Sequence, residues 1–353
     1  MVDTILHLIE NGDEIIRFRT VNEVLNIYND EKLNELYREL IESKVVIKRL
    51  KNLEDVSKID DFNGIHGATN FHLENSLPRI LDCGIKAGES LLDDIMIPIL
   101  QRIKRRIFPV DHVFHIFPEI IMCPFLIRAG YIDNDLQQFL EKRIENIYDF
   151  VRHKNYDIYD ERTNYKGIPK AFKNKKVIKP ELYRGGRFSL PLIYDLYAFS
   201  LADEFLDEIN KMKINTIIEY IIDERYNKLD TSYGILLNGN RSYLVMGWDC
   251  KLPEIKGAIT SEILNFLEWL SFSNIFRESN WCKEAFELFF KYKTDRNTFI
   301  FTKESLNEKN GVWIKGSHMS LGENRRKKNA MEIESTFRAL KILQKNGKLG
   351  DVT

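Results

Sequence analysis

A helix that runs into a short glycine-bearing corner and returns as a second helix occurs twice in succession in this sequence. Residues 64–103, GIHGATNFHLENSLPRILDCGIKAGESLLDDIMIPILQRI, carry the first copy, and IIMCPFLIRAGYIDNDLQQFLEKRIENI carries the second. In the first, Phe71, Leu73, Leu77, Ile80 and Leu81 recur at helical spacing, and Gly84 ends the run as a left-handed cap. Residues 91–107 form the return helix, where Pro98 predicts a kink. In the second, 116–129 is capped at Gly130 and 133–152 returns, which sets the two glycines 46 residues apart. A hairpin repeated at that spacing buries its apolar face only by stacking on its neighbours, so the pattern predicts an all-α fold.

The rest of the chain extends the theme. Apolar residues at intervals of three and four predict two amphipathic helices in 13–43, hairpins from 190–207 with 213–225 and from 261–270 with 281–292, and a closing helix over 331–345. Residues 44–63 are charged and turn-like and read as a connection with a short helix at most. Two insertions, near 155–188 and 229–253, interrupt what is otherwise a single domain over 1–353. In the second, Tyr, Leu and Val alternate around Asn-Gly, as in a short strand pair or an extended loop.

Charge excludes some partners. Lys and Arg number 52 against 53 Asp and Glu, so there is no overall electrostatic footprint for nucleic acid, and any anion site has to be local. No run of about 18 apolar residues predicts a membrane span. The acidic start, MVDTILHLIENGDEIIRF, predicts no secretory leader, and a cytoplasmic location follows as the expectation. Cys83, Cys123, Cys250 and Cys282 are scattered through apolar surroundings, which suits reduced thiols better than a disulfide framework.

Several side chains are candidates for chemistry. Asp249, Cys250 and His318 together form the kind of open donor set that holds zinc, and they are the candidate metal ligands and catalytic groups. Neighbouring residues diverge on a strand or a helix, so Asp249 and Cys250 share an ion only if the backbone turns there; otherwise Cys250 is a thiol packed beside Trp248. His66, His72, His112 and His115 read as core or helix-mouth histidines more readily than as ligands. Asp60 with Asp61, and Asp93 with Asp94, could bind magnesium, although acids early in a helix are favoured by its dipole alone. Basic runs at 102–106 and 325–328 suit solvated helix ends. The loop with Lys173, Lys175, Lys176, Lys179, Arg184 and Arg187, opened by Gly185 and Gly186, is the best candidate for an anion cradle. No Walker loop, dinucleotide fingerprint, nucleophile elbow or paired Cys-x-x-Cys occurs.

IIRFRTVNEVL, ENSLPRILDCGIKAG, CPFLIRAGYIDND, GWDCKLP and GENRRKKNAMEIESTFRALKIL, taken together, resemble proteins of the prenyltransferase and squalene-cyclase repeat type. That resemblance implies an α/α barrel, or toroid, of repeated helical hairpins around a cavity for an isoprenoid or other lipid-like molecule. Its lining would include Phe188, Tyr243, Trp248 and Trp313, with Arg241 beside Asp249, Cys250 and His318 at the mouth. The sequence departs from the family in lacking the cyclases' Asp-x-Asp-Asp donor and their Gln- and Trp-bearing repeats. The protein prenyltransferases' zinc-binding Asp-x-Cys is matched only by an adjacent Asp249-Cys250. Two readings compete with the cavity protein: a HEAT-like α-solenoid that scaffolds a protein partner, and a zinc-dependent transferase or hydrolase.

Overall fold

The computed structural model describes residues 2–27, 31–59, 64–105, 117–185, 187–201, 205–238 and 242–352. It is 57% helix and 4% strand, with 15 α-helices among the described residues, so the all-α expectation holds at that level. None of these helices is long and apolar enough to cross a membrane. The chain divides into two compact units, one formed by Met1–Ile99, Arg128–Gly130 and Pro253–Thr353, the other by Leu100–Ile127 and Tyr131–Leu252.

The four helices expected of the repeat form, as Leu73–Leu81, Ser90–Arg105, Phe117–Ala129 and Asn134–Val151, and the corners at Gly84 and Gly130 take φ of 88° and 97°. Among the described residues their extensive packing is with other elements: Leu73–Leu81 lies on Lys44–Ser57, and Asn134–Val151 on Glu208–Ile222. Pro98 lies inside the Ser90–Arg105 helix. One expectation fails: most of 44–63 is no connection, because Lys44–Ser57 is a full helix. Ser43 caps it by accepting from the Val46 amide at 3.3 Å, and Val46, Leu50, Leu53 and Val56 are buried at intervals of three and four. Apart from the exposed Ile47, the residues between these are Lys, Arg, Asn, Glu and Asp, and the apolar stripe is narrow enough to be hidden by them.

In the first unit the closing helix Ala330–Lys345 is buried along nearly its whole length, polar residues included. Lys341 lies 2.9 Å from Glu23 and 3.0 Å from Glu268, and Arg19 grips Glu23 with Nε at 2.6 Å and Nη2 at 2.9 Å. Burial alone would raise Glu268, but Lys341, Lys345 and Arg128 outweigh it and hold the carboxyl well below its usual range. Asn346 donates to the Leu267 carbonyl at 2.9 Å and Gln344 to that of Val24 at 3.2 Å. The start of the chain, the Ser261–Trp269 helix and the closing helix are thereby locked together.

The second unit packs Asn134–Val151 against Glu208–Ile222 and joins both insertions in one four-stranded sheet. Tyr159–Asp160 pairs antiparallel with Val177–Ile178, Val177 pairs parallel with Ile235, and Ile235–Asn238 runs antiparallel to Ser242–Val245 with Leu236 opposite Leu244. The alternation around Asn-Gly is thus a strand pair. Arg143, 3% exposed, clamps Asp195 through Nε at 2.9 Å and Nη2 at 2.7 Å. A fork of two parallel bonds satisfies both buried charges at once.

Removing Lys341 leaves Glu268 a buried carboxylate short of its nearest partner, so Lys341→Met should cost about 3 kcal/mol in urea unfolding. Adding Glu268→Gln should recover most of that loss, and a neutral single variant would show that the network does not hold the unit together.

Candidate functional site

Three segments of the first unit wall a cleft of about 450 Å³. The Lys44–Ser57 helix presents Lys44, Lys48 and Asn52, which recur every four residues and so share one face, with Arg49 next to Lys48 at its border. Ser76 and Arg79 come from the Leu73–Leu81 helix, with Asn70 just before it, and Glu308, His318, Ser320 and Gly322 come from the chain ahead of the closing helix. The last segment approaches closely because residue 322 is glycine: its φ is 107°, and a Cβ there would sit 2.9 Å from Val45 Cγ1.

Arg49 is fixed within its own chain. Its Nη1 donates to the Arg79 carbonyl at 2.8 Å and contacts Cys83 Sγ at 3.1 Å, and its Nη2 donates to the Ser320 carbonyl at 3.0 Å. Arg79 is different. It is only 8% exposed, and its Nε and Nη2 are buried without a hydrogen-bond partner. Burial, then the neighbouring Arg49, lowers its pKa to about 10, against the pull of Asp82. Asp82, three residues along the chain, instead accepts from Trp313 Nε1 at 3.0 Å.

His318 completes the cluster. Burial and the charges of Arg79, Arg49, Arg338 and Arg325 push its pKa down to about 3, so the imidazole is neutral at ordinary pH, and its buried Nδ1 has no partner. Behind it, Arg338 donates through Nη2 to the Met319 carbonyl while its Nε has no partner, and Arg325 is paired with Glu334. The cleft therefore concentrates positive charge around a neutral ring, an arrangement suited to an anion.

The residues singled out in the sequence lie in varied surroundings. His318 is in this cleft. Asp249 and Cys250 belong to the second unit, where Asp249 accepts from the amides of Ser232 at 2.7 Å and Lys251 at 3.0 Å. Ser232 and Tyr233 have positive φ, 67° and 57°, so this carboxylate pins an otherwise unfavourable turn. Cys250 is fully buried, its amide donating to Tyr226 Oη at 3.1 Å, and none of the four cysteines is in a disulfide. Among the described residues no group of three His, Cys, Asp or Glu side chains could hold a metal ion.

Trp248 packs edge-on to Phe117 at 5.3 Å and Tyr194 at 5.7 Å, Phe188 packs on Phe117 at 5.8 Å, and Tyr243 lies in a cluster with Val177 and Ile235. Trp313, in the first unit, stacks on Trp269 at 6.2 Å, and its amide donates to Asn75 at 2.7 Å. His66 lies 2.6 Å from Glu74, and His72 hydrogen-bonds within the Thr69 turn. Asp93 accepts from the Gly88 amide at 3.1 Å, a helix-start role. Lys170, Lys173 and Lys175 border an open depression of about 600 Å³ beside Asp230. Arg241, Asp60, Asp61, His112, His115 and Gly186 lie outside the described residues.

Sequence reasoning missed Arg49 and Arg79, the centre of the cleft. The available signal was Arg79 inside the apolar run LPRIL, where a cation has to be buried or turned outward. No protein-family model, curated protein or solved structure matches this chain.

Next to the cleft, Asp13 caps the Glu14–Arg19 helix, and its amide donates to Glu323 Oε1, while Glu323 Oε2 is buried without a partner. Burial, with repulsion from Glu14 and Glu334, raises Asp13 to about 6, and burial, with repulsion from Asp13, raises Glu323 to about 7. The folded state holds more protons than the unfolded chain between about pH 4 and 7, so this pair's contribution is intact at low pH and is lost as pH rises through 7. Glu323→Gln should raise Tm by roughly 1–2 °C at pH 8, the shift expected of about 1 kcal/mol in a chain of this length, with the gain vanishing by pH 4. A gain equal at both pH values would contradict the assignment.

Proposed function

We propose that the first unit binds a small anion in the cleft between Lys44–Ser57, Leu73–Leu81 and the 308–322 segment. The observation that carries this reading is the guanidinium of Arg79, buried with two nitrogens unpaired. A buried donor without an acceptor costs about 1–3 kcal/mol, and more when charged, so an acceptor supplied from outside accounts for its presence. Lys44 and Lys48 at the exposed edge add a field that draws anions inward.

The resemblance to prenyltransferases and cyclases implies an apolar, isoprenoid-like ligand instead. Trp248, Phe188 and Tyr243, the rings expected to line its cavity, make their contacts with other core side chains, so the charged cleft has the stronger support. The anion reading is one of binding; it assigns no covalent step.

Thermal unfolding at fixed ionic strength tests it. Saturating inorganic phosphate should raise Tm by about 3 °C or more relative to chloride, because a ligand bound only by the folded state stabilises by mass action. Arg79→Met should abolish that shift and, without phosphate, unfold at the same or a higher temperature, since an apolar side chain of similar length removes a buried uncompensated charge. A phosphate shift that persists in Arg79→Met would overturn the reading.

A further inference from the structure

We infer that the occupant of the cleft is a phosphate monoester whose carbon skeleton carries a hydroxyl or amino group, the phosphoryl group facing Arg79 and the donor facing Asn70. This rests on the anion-binding reading and narrows it by three observations.

The first is size. A water molecule occupies about 30 Å³ of the liquid, and an inorganic phosphate displaces on the order of two or three waters. The 450 Å³ cleft has room for several times that, and it falls in the range of pockets that take small organic ligands. The second is charge. Lys44, Lys48, Arg49 and Arg79 face one carboxylate, Glu308, which lies 3.7 Å from Arg325. A lone carboxylate ligand leaves most of that excess uncompensated, whereas a phosphoryl group brings about −1.5 to −2 at neutral pH. Nε and Nη2 of Arg79 also form the edge of the guanidinium that binds two oxygens of one group.

The third is the sign of the unpaired groups. Asn70 Oδ1 is buried without a partner, as Arg79 Nε and Nη2 are, yet it is an acceptor. An anion has no hydrogen to give it; a hydroxyl or amine does. The backbone around Asn70 is held independently, since Asn52 Nδ2 donates to the Asn70 carbonyl at 2.9 Å. Its side chain can therefore be altered without releasing the segment. The neutral ring of His318, also with an unpaired nitrogen, can give or take a hydrogen bond and accommodates either kind of neighbour.

Isothermal titration of the full chain at constant pH and ionic strength, with inorganic phosphate, methyl phosphate, glycerol phosphate and glycerate, separates these points. Glycerol phosphate should bind at least ten-fold more tightly than methyl phosphate and than glycerate. Asn70→Ala should bring glycerol phosphate to within about two-fold of methyl phosphate measured on the same variant. Equal affinity for glycerol and methyl phosphate, equal affinity for glycerate, or a preference that survives Asn70→Ala overturns the inference. In any of those cases Arg79-dependent binding of inorganic phosphate keeps the broader reading alive, and only the absence of such binding removes both.

Discussion

The closing helix Ala330–Lys345 carries Glu334, Arg338 and Lys341 within two turns, all of them buried, and each must find its complement in a neighbouring segment or lie uncompensated in a poor dielectric. Lys341 meets Glu23 and Glu268, so the helix is joined to the first residues of the chain and to Ser261–Trp269 in a single arrangement. Glu334 meets Arg325 and the Leu321 amide at 3.1 Å, which folds the preceding segment back along the helix. Apolar contacts alone would tolerate sliding; charge pairs buried this deeply tolerate far less, because a shift of one residue strands an ion.

The same requirement explains why the cleft is cationic. Arg338 has no carboxylate of its own and donates to the Met319 carbonyl, and Arg49 is taken up by the carbonyls of Arg79 and Ser320. Their charges are solvated by dipoles without being neutralised. Arg79 is then added to this field while Asp82, the acid best placed by sequence to offset it, is engaged by Trp313. A local choice that lowers stability, beside buried ions such as Lys341 and Glu334 that do have partners, is where a functional demand is expected. His318, held neutral by burial and then by that field, lies in the same imbalance.

Much of this was legible in the sequence and part was not, for identifiable reasons. The helices within 73–105 and 117–151 announce themselves because apolar spacing, glycine corners and helix length agree. The Lys44–Ser57 helix is obscured, since its four buried residues lie among eight polar ones and read as a charged linker, and with it went the face that carries Arg49. The strand pair around 235–245 was readable, but its pairing through Val177 to the earlier insertion depends on contact between segments far apart in the chain. Asp249 illustrates the limit of composition: its neighbours suggest a metal ligand, whereas its geometry shows a carboxylate bound to two backbone amides. Arg79 is marked in the sequence only by its place in the apolar run LPRIL, because an unpaired cation is defined by what surrounds it in space.

The position of the Arg79 guanidinium in a crystal structure grown with phosphate tests the central claim most directly. The account predicts tetrahedral density within hydrogen-bonding distance of that guanidinium, between the Lys44–Ser57 helix and His318. A guanidinium turned onto a carboxylate of its own chain, with only water in the cleft, would contradict it.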